Sequence, residues 1–292
     1  MAWSNNTFYI VFLGQILLTS WYFPRLLLGR MQRVLNDYPP ETYPKLYPRP
    51  VEEYKIAQWK FRMVNRVVLG LGFVILFAVM FLIDHSTFAD DGYISEMFPA
   101  AYGMIQFLPL MALEFSEFGH IKLMRKANAS TVRKAELTRR GLFDFLSPAL
   151  LVVTLAFFAG AIWFDLWAHN YEFTWGHDTM ERAVVLTVTN LFLVAVGAFT
   201  LLTRTRDPHQ SAPDRARKVS ASLTSLLFCS IALSVFFVTA AADDIFDIDY
   251  LDAIVMSVYF QAVVWISLGY MIRSIRIEDI DFEVYRLSLI HI

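Results

Sequence analysis

Residues 97–115 form a 19-residue, mostly apolar run that leads directly into the densest basic stretch of the chain, IKLMRKANASTVRKAELTRRG. A helix needs roughly 20 apolar residues to cross a bilayer core, and lipid admits such a helix because it satisfies its own backbone polar groups. The basic stretch places Lys122, Arg125, Lys126, Arg133, Lys134, Arg139 and Arg140 at one end of the run. Lys and Arg concentrate in the cytoplasmic loops of membrane proteins, so this junction orients the run and, by alternation, every other one. Glu114 stands where run and loop meet.

Six more apolar runs lie at about 8–28, 67–83, 143–164, 183–203, 219–242 and 253–272. Hydrophobic residues make up 57% of the chain, more than a soluble domain carries, and support the same reading. The expected fold is an all-α, polytopic integral membrane bundle of about seven transmembrane helices. Residues 1–292 form a single transmembrane domain, with the N-terminus outside and the C-terminus cytoplasmic. The first run lacks a basic leader and a small-residue cleavage site, so it reads as a retained span rather than a signal peptide. Charge tests the count. With loops assigned alternately, 24 of the 25 Lys and Arg fall on one side, and Arg182 is the exception. The other side holds 13 of the 27 acids, among them Asp243, Asp244, Asp247, Asp249 and Asp252. A miscounted span would scramble that division.

Residues 29–66 make the longest connection between runs. Pro39, Pro40, Pro44, Pro48 and Pro50 forbid a continuous helix in its middle, while Tyr38, Tyr43, Tyr47 and Tyr54 suit the headgroup level. Its expected form is a stiff cytoplasmic, interfacial strap that either lies on the membrane or offers Tyr38, Tyr43 and Tyr47 to a partner. Residues 51–66 carry helical spacing with a basic face, as an interfacial helix would.

Candidate chemistry is sparse. Three hairpins open near residues 67, 143 and 219, and each returning helix has one amide in its apolar run, namely Gln106, Asn190 and Gln261. Such amides either bond neighbouring helices or line a polar path. Glu114 is the best-placed intramembrane carboxylate, and buried charge is the usual mark of a transport path. Arg139 and Arg140, with the strap tyrosines, are candidates for docking a partner or lipid headgroups. Outside, His85, His169 and His177 accompany the aspartates, but no EF-hand or HExxH spacing occurs. Nucleotide-binding, nucleophile-elbow and CxxC motifs are absent too, and Cys229 is the only cysteine. No catalytic residue, metal, cofactor or nucleic-acid partner is expected.

Two functional classes fit. One is permeation of a small solute or ion along Gln106, Asn190 and Gln261 toward Glu114. The other is a non-catalytic membrane subunit that docks a protein partner, or a second copy of itself, through its basic loops. A lipid-modifying enzyme built on Glu114, His120 and Arg125 ranks third, with Glu117 spaced three residues from His120 so that the pair could bind a metal or move a proton. Short loops and the single cysteine point to a bacterial inner membrane.

Overall fold

The computed structural model describes residues 2–81, 94–128, 141–175, 177–202 and 207–286. Within them the backbone is helical, with no strands, and seven helices are long and apolar enough to span a membrane.

Helix α1 is composite: an α-helical segment Ala2–Leu17, a π turn Leu18–Tyr22 and a second α-helical segment Phe23–Asp37. Helices α2 (Val51–Phe81), α3 (Met97–Ala127), α4 (Pro148–Ala168), α5 (Asp178–Leu202) and α6 (Ala212–Phe246) follow. The last, α7, joins Asp252–Val264, a second π turn Trp265–Gly269 and Tyr270–Ser274. The end of the bundle that carries the strap and the carboxyl-terminal tail is the basic end, and the opposite one the acidic end.

Several helices overrun their apolar segments at the basic end. Residues 51–66, expected as a separate interfacial helix, continue without a break into the apolar run, so α2 is one rod of 31 residues. Uninterrupted backbone hydrogen bonding makes continuation the cheaper solution where no Pro or Gly intervenes. Helix α6 starts at Ala212, well before residue 219, because the sequence SAPD supplies a start signal. Ser211 Oγ accepts from the Asp214 amide at 3.3 Å, and Pro213 sits in the first turn. The true strap is therefore only residues 38–50, where five prolines leave a single 3₁₀ turn, Pro44–Leu46.

Packing sorts the helices into two groups. Helix α1 lies against α2 and α7, and α3 packs on α2 and α7. Helices α4 and α5 both pack on α6 and touch each other far less, so the three sequence hairpins are not three equivalent units. The groups meet mainly where α6 packs on α7. Phe8, Phe12, Ile16, Val79 and Tyr102 fill the first group, while Ala161, Leu186 and Leu233 bind the second. Small residues allow the close crossings: a methyl group on Gly103 would lie 2.7 Å from the Phe260 ring, so α3 reaches α7 only through glycine there.

Candidate functional site

Gln106, Asn190 and Gln261 do not share one passage. Gln106 is 3% exposed and sits in a network between α1, α2 and α3. Its Nε2 donates to Ser20 Oγ at 2.9 Å and to the Gln15 main-chain oxygen at 3.2 Å. Gln15 Nε2 donates to Gln106 Oε1 at 3.1 Å, and Tyr102 OH donates to the Val68 carbonyl at 3.0 Å while meeting Ser20 at 3.1 Å. The π turn of α1 makes this geometry possible, since the wider turn buries Thr19 and Ser20 against the neighbouring helices. Asn190 belongs to the other group, where Ser230 of α6 donates to its side-chain oxygen. Gln261 of α7 donates to the Val11 carbonyl of α1 at 3.0 Å. Each amide ties a pair of helices.

Glu114 lies elsewhere, in a cleft of about 330 Å³ at the basic end. Helix α3 forms one wall with Glu114, Glu117 and Phe118; Phe199 and Thr200 of α5 and Arg215, Lys218 and Ser222 of α6 form the other. Lys218 and Glu117 make an ion pair across it, and the Phe118 and Phe199 rings meet at 6.4 Å. Among the described residues Glu114 accepts no hydrogen bond and forms no ion pair, so its carboxylate is free to meet a ligand. The Nε of Arg215 is buried without a partner. Seven residues from Glu114 toward the acidic end, about 10 Å along the helix, Phe107 marks a layer of rings. Phe107 meets Phe260 at 6.0 Å, Phe260 meets Tyr259 at 5.6 Å, and Tyr259 meets Phe236 at 4.8 Å. These rings link α3, α7 and α6.

The strap tyrosines pack inside a cap at the basic end. Tyr38 stacks on Phe282 of the tail at 3.8 Å, and Tyr43 OH donates to Glu283 at 3.1 Å. Tyr47 OH donates to the Tyr38 carbonyl at 2.8 Å, and burial pushes its phenol up to about 12. Tyr285 donates to Asp207 at 2.5 Å, and burial, with that carboxylate second, raises its pKa. His209 lies beside it, its pKa lowered chiefly by burial. Met124 and Ile277 complete the core of the cap. His120 at the rim of the cleft shares a hydrogen bond with Tyr54 at 3.2 Å rather than with Glu117. Arg139 and Arg140 lie outside the described residues, as do His85 and the nearby Asp84, Asp90 and Asp91.

At the acidic end Arg182, the exception in the charge division, is the centre of a network that joins three helices. It contacts Asp165 of α4 at 3.1 and 3.3 Å and Asp244 of α6 at 2.7 Å. His169 bridges the same carboxylates, at 3.2 Å from Asp165 and 3.1 Å from Asp244. Sequence reasoning saw the lone arginine and the acids separately. Its rarity on that side was the available signal, because an isolated cation among acids is there to be paired. Among the described residues, no three His, Cys, Asp or Glu side chains come together as a metal site would require.

Comparison with protein-family models, with curated proteins and with solved structures finds no match for this chain.

Proposed function

We propose that this chain is an integral membrane permeation protein, a channel, facilitator or transporter for a small solute or ion. It would lie in a bacterial inner membrane with its N-terminus outside and its C-terminus in the cytoplasm, the arrangement that puts nearly all Lys and Arg inside. The observation that carries the reading is the cleft. It lies between the two helix groups and holds an unpaired carboxylate, Glu114, near the edge of the apolar segment. On the acidic side of Glu114 stands the aromatic layer around Phe260, which would close a path open to one side. Charge buried along the apolar runs is scarce, which favours a facilitator over an ion-coupled pump.

The test is flux into liposomes. Glu114→Gln should lower uptake at least fivefold at equal incorporation, and Gln261→Leu should change it much less because Gln261 braces α1 against α7. Unchanged flux in Glu114→Gln would remove the cleft from the path.

A docking subunit is the second reading, and one observation favours it. Ile56, Trp59 and Met63 form an outward stripe on the basic-end extension of α2, exposed by 52%, 56% and 38%. A partner held there should be lost from pull-downs of Trp59→Ser, while flux is untouched.

A further inference from the structure

Beside the cleft, and independent of it, the basic end has a second feature with chemistry of its own. Helices α1 and α2 run antiparallel and leave a groove of about 440 Å³ between them. Helix α1 presents Trp21, Arg25, Gly29 and Gln32, spaced by four, four and three residues and so on one face. Helix α2 presents Arg62, Asn65 and Arg66, again on one face. Three arginines thus line one groove from two helices.

Among the described residues Arg25, Arg62 and Arg66 form no salt bridge and no hydrogen bond, and Arg25 is placed instead over the Trp21 ring at 5.5 Å. The neighbouring arginines of α1 contrast with them: Arg33 pairs with Glu278 at 2.8 Å, and Arg30 donates to the Ile272 carbonyl at 2.9 Å. The bias of Lys and Arg toward one side of a membrane explains why these arginines are at the basic end. It does not explain why three of them converge and stay unpaired.

Depth identifies the anion. Arg25 lies where the apolar run 8–28 is ending, and Arg66 immediately precedes the run that begins at residue 67. Both therefore stand at the level where lipid phosphates lie, with Trp21 in the place that interfacial tryptophans take. Guanidinium groups bind phosphate oxygens in pairs, and basic pockets between transmembrane helices take acidic headgroups. Pro24 of α1 and Leu69 of α2 extend the groove wall toward the bilayer, where the start of an acyl chain would run. At Gly29 an added Cβ would meet nothing within 4 Å, so the missing side chain keeps the groove open.

We propose that the α1–α2 groove at the basic end is a binding site for an anionic phospholipid, its phosphate held by Arg25, Arg62 and Arg66. The inference needs the chain to sit in a membrane and is independent of the permeation reading.

Native mass spectrometry after reconstitution in phosphatidylcholine nanodiscs containing a minor share of phosphatidylglycerol tests it. Wild type should retain phosphatidylglycerol over phosphatidylcholine. Each arginine changed to glutamine should weaken retention about fivefold, the effect of one charge near a lipid surface. Gly29→Leu, which fills the groove and keeps every charge, should abolish selective retention. Lys55→Gln, Lys60→Gln and Lys122→Gln combined, which removes three exposed charges elsewhere at the same end, should leave it intact. Equal loss in the lysine variant would mean diffuse attraction and overturn the site. Full displacement of the lipid by soluble glycerol phosphate would overturn the lipid as the source of the phosphate. If the arginine variants do not fold, Gly29→Leu decides alone, and retention there would overturn the proposal.

Discussion

Arg182 shows how one side chain can hold three helices. Asp165, only 6% exposed, and Asp244 both contact it, and His169 shares the two carboxylates. Removing one member of a buried ion pair leaves its partner charged and desolvated, which costs more than the pair contributes. Arg182→Met should therefore destabilise the folded chain by about 3 kcal/mol, read as a lower melting temperature in detergent. Asp165→Asn in the same chain should recover part of the loss, because the orphaned charge is then gone. An Arg182→Met protein as stable as wild type would mean the network is a solvated surface feature. The buried amides act by the same logic without charge. Gln106 satisfies Ser20 and the Gln15 backbone, and each such interhelical bond is worth around 1 kcal/mol.

At the scale of elements, strap and tail form a single unit. Residues 38–50 are too rich in proline to fold as a helix, and the tail contributes only the 3₁₀ turns Ile277–Asp279 and Phe282–Tyr285. Neither has a core of its own, so each buries its aromatic residues on the other and on Met124 at the end of α3. Arg217 of α6 donates to the Asp279 carbonyl at 2.8 Å, and the Asp281 amide donates to Asp214 at 3.0 Å, pinning the tail to α6. Phe282 is 7% exposed and stacks on Tyr38. Phe282→Ala should cost the cap about 3 kcal/mol while leaving the helices in place. Faster amide exchange across residues 38–50 and 277–286, with the long apolar helices unchanged, is the expected result. Uniform exchange changes would show that cap and bundle unfold together. Two helix irregularities also belong to this scale. The π turns of α1 and α7 are neighbours, with Phe23 and Trp265 at 6.0 Å, so both helices widen where they pack on each other.

Over the whole molecule, the two helix groups share the α6–α7 contact and face each other across the cleft, where Lys218 pairs with Glu117. If the chain conducts a solute by moving one group against the other, tying the groups together at the cleft should stop it. With Cys229→Ser as background, Phe118→Cys and Phe199→Cys place thiols on α3 and α5 where the native rings are 6.4 Å apart. A short thiol crosslinker should then abolish flux, and cleavage of the linker should restore it. Full flux in a fully crosslinked protein would show that the groups do not need to move.

Much of this architecture is written in the one-dimensional order of the chain. Apolar run length and the lopsided distribution of Lys and Arg determine seven membrane-length helices, because lipid tolerates few alternatives and charge does not cross it readily. The prolines of residues 38–50 mark the strap, and Arg182 stands out from its surroundings by sign alone. Helix ends were less legible, since α2 continues through residues 51–66 on the strength of local hydrogen bonding that hydropathy does not register. Which side chains meet is not written there at all. Gln106 bonds Ser20 and Gln15, more than 80 positions away, and Tyr38 stacks on Phe282, more than 240 away. Those pairings depend on how α1 twists through its π turn and where glycine lets α3 approach α7. The number of long apolar helices was therefore legible through bulk solvation, a property each segment carries alone. The cleft at Glu114 and the arginine groove exist only after packing, because each is assembled from helices that no local rule brings together.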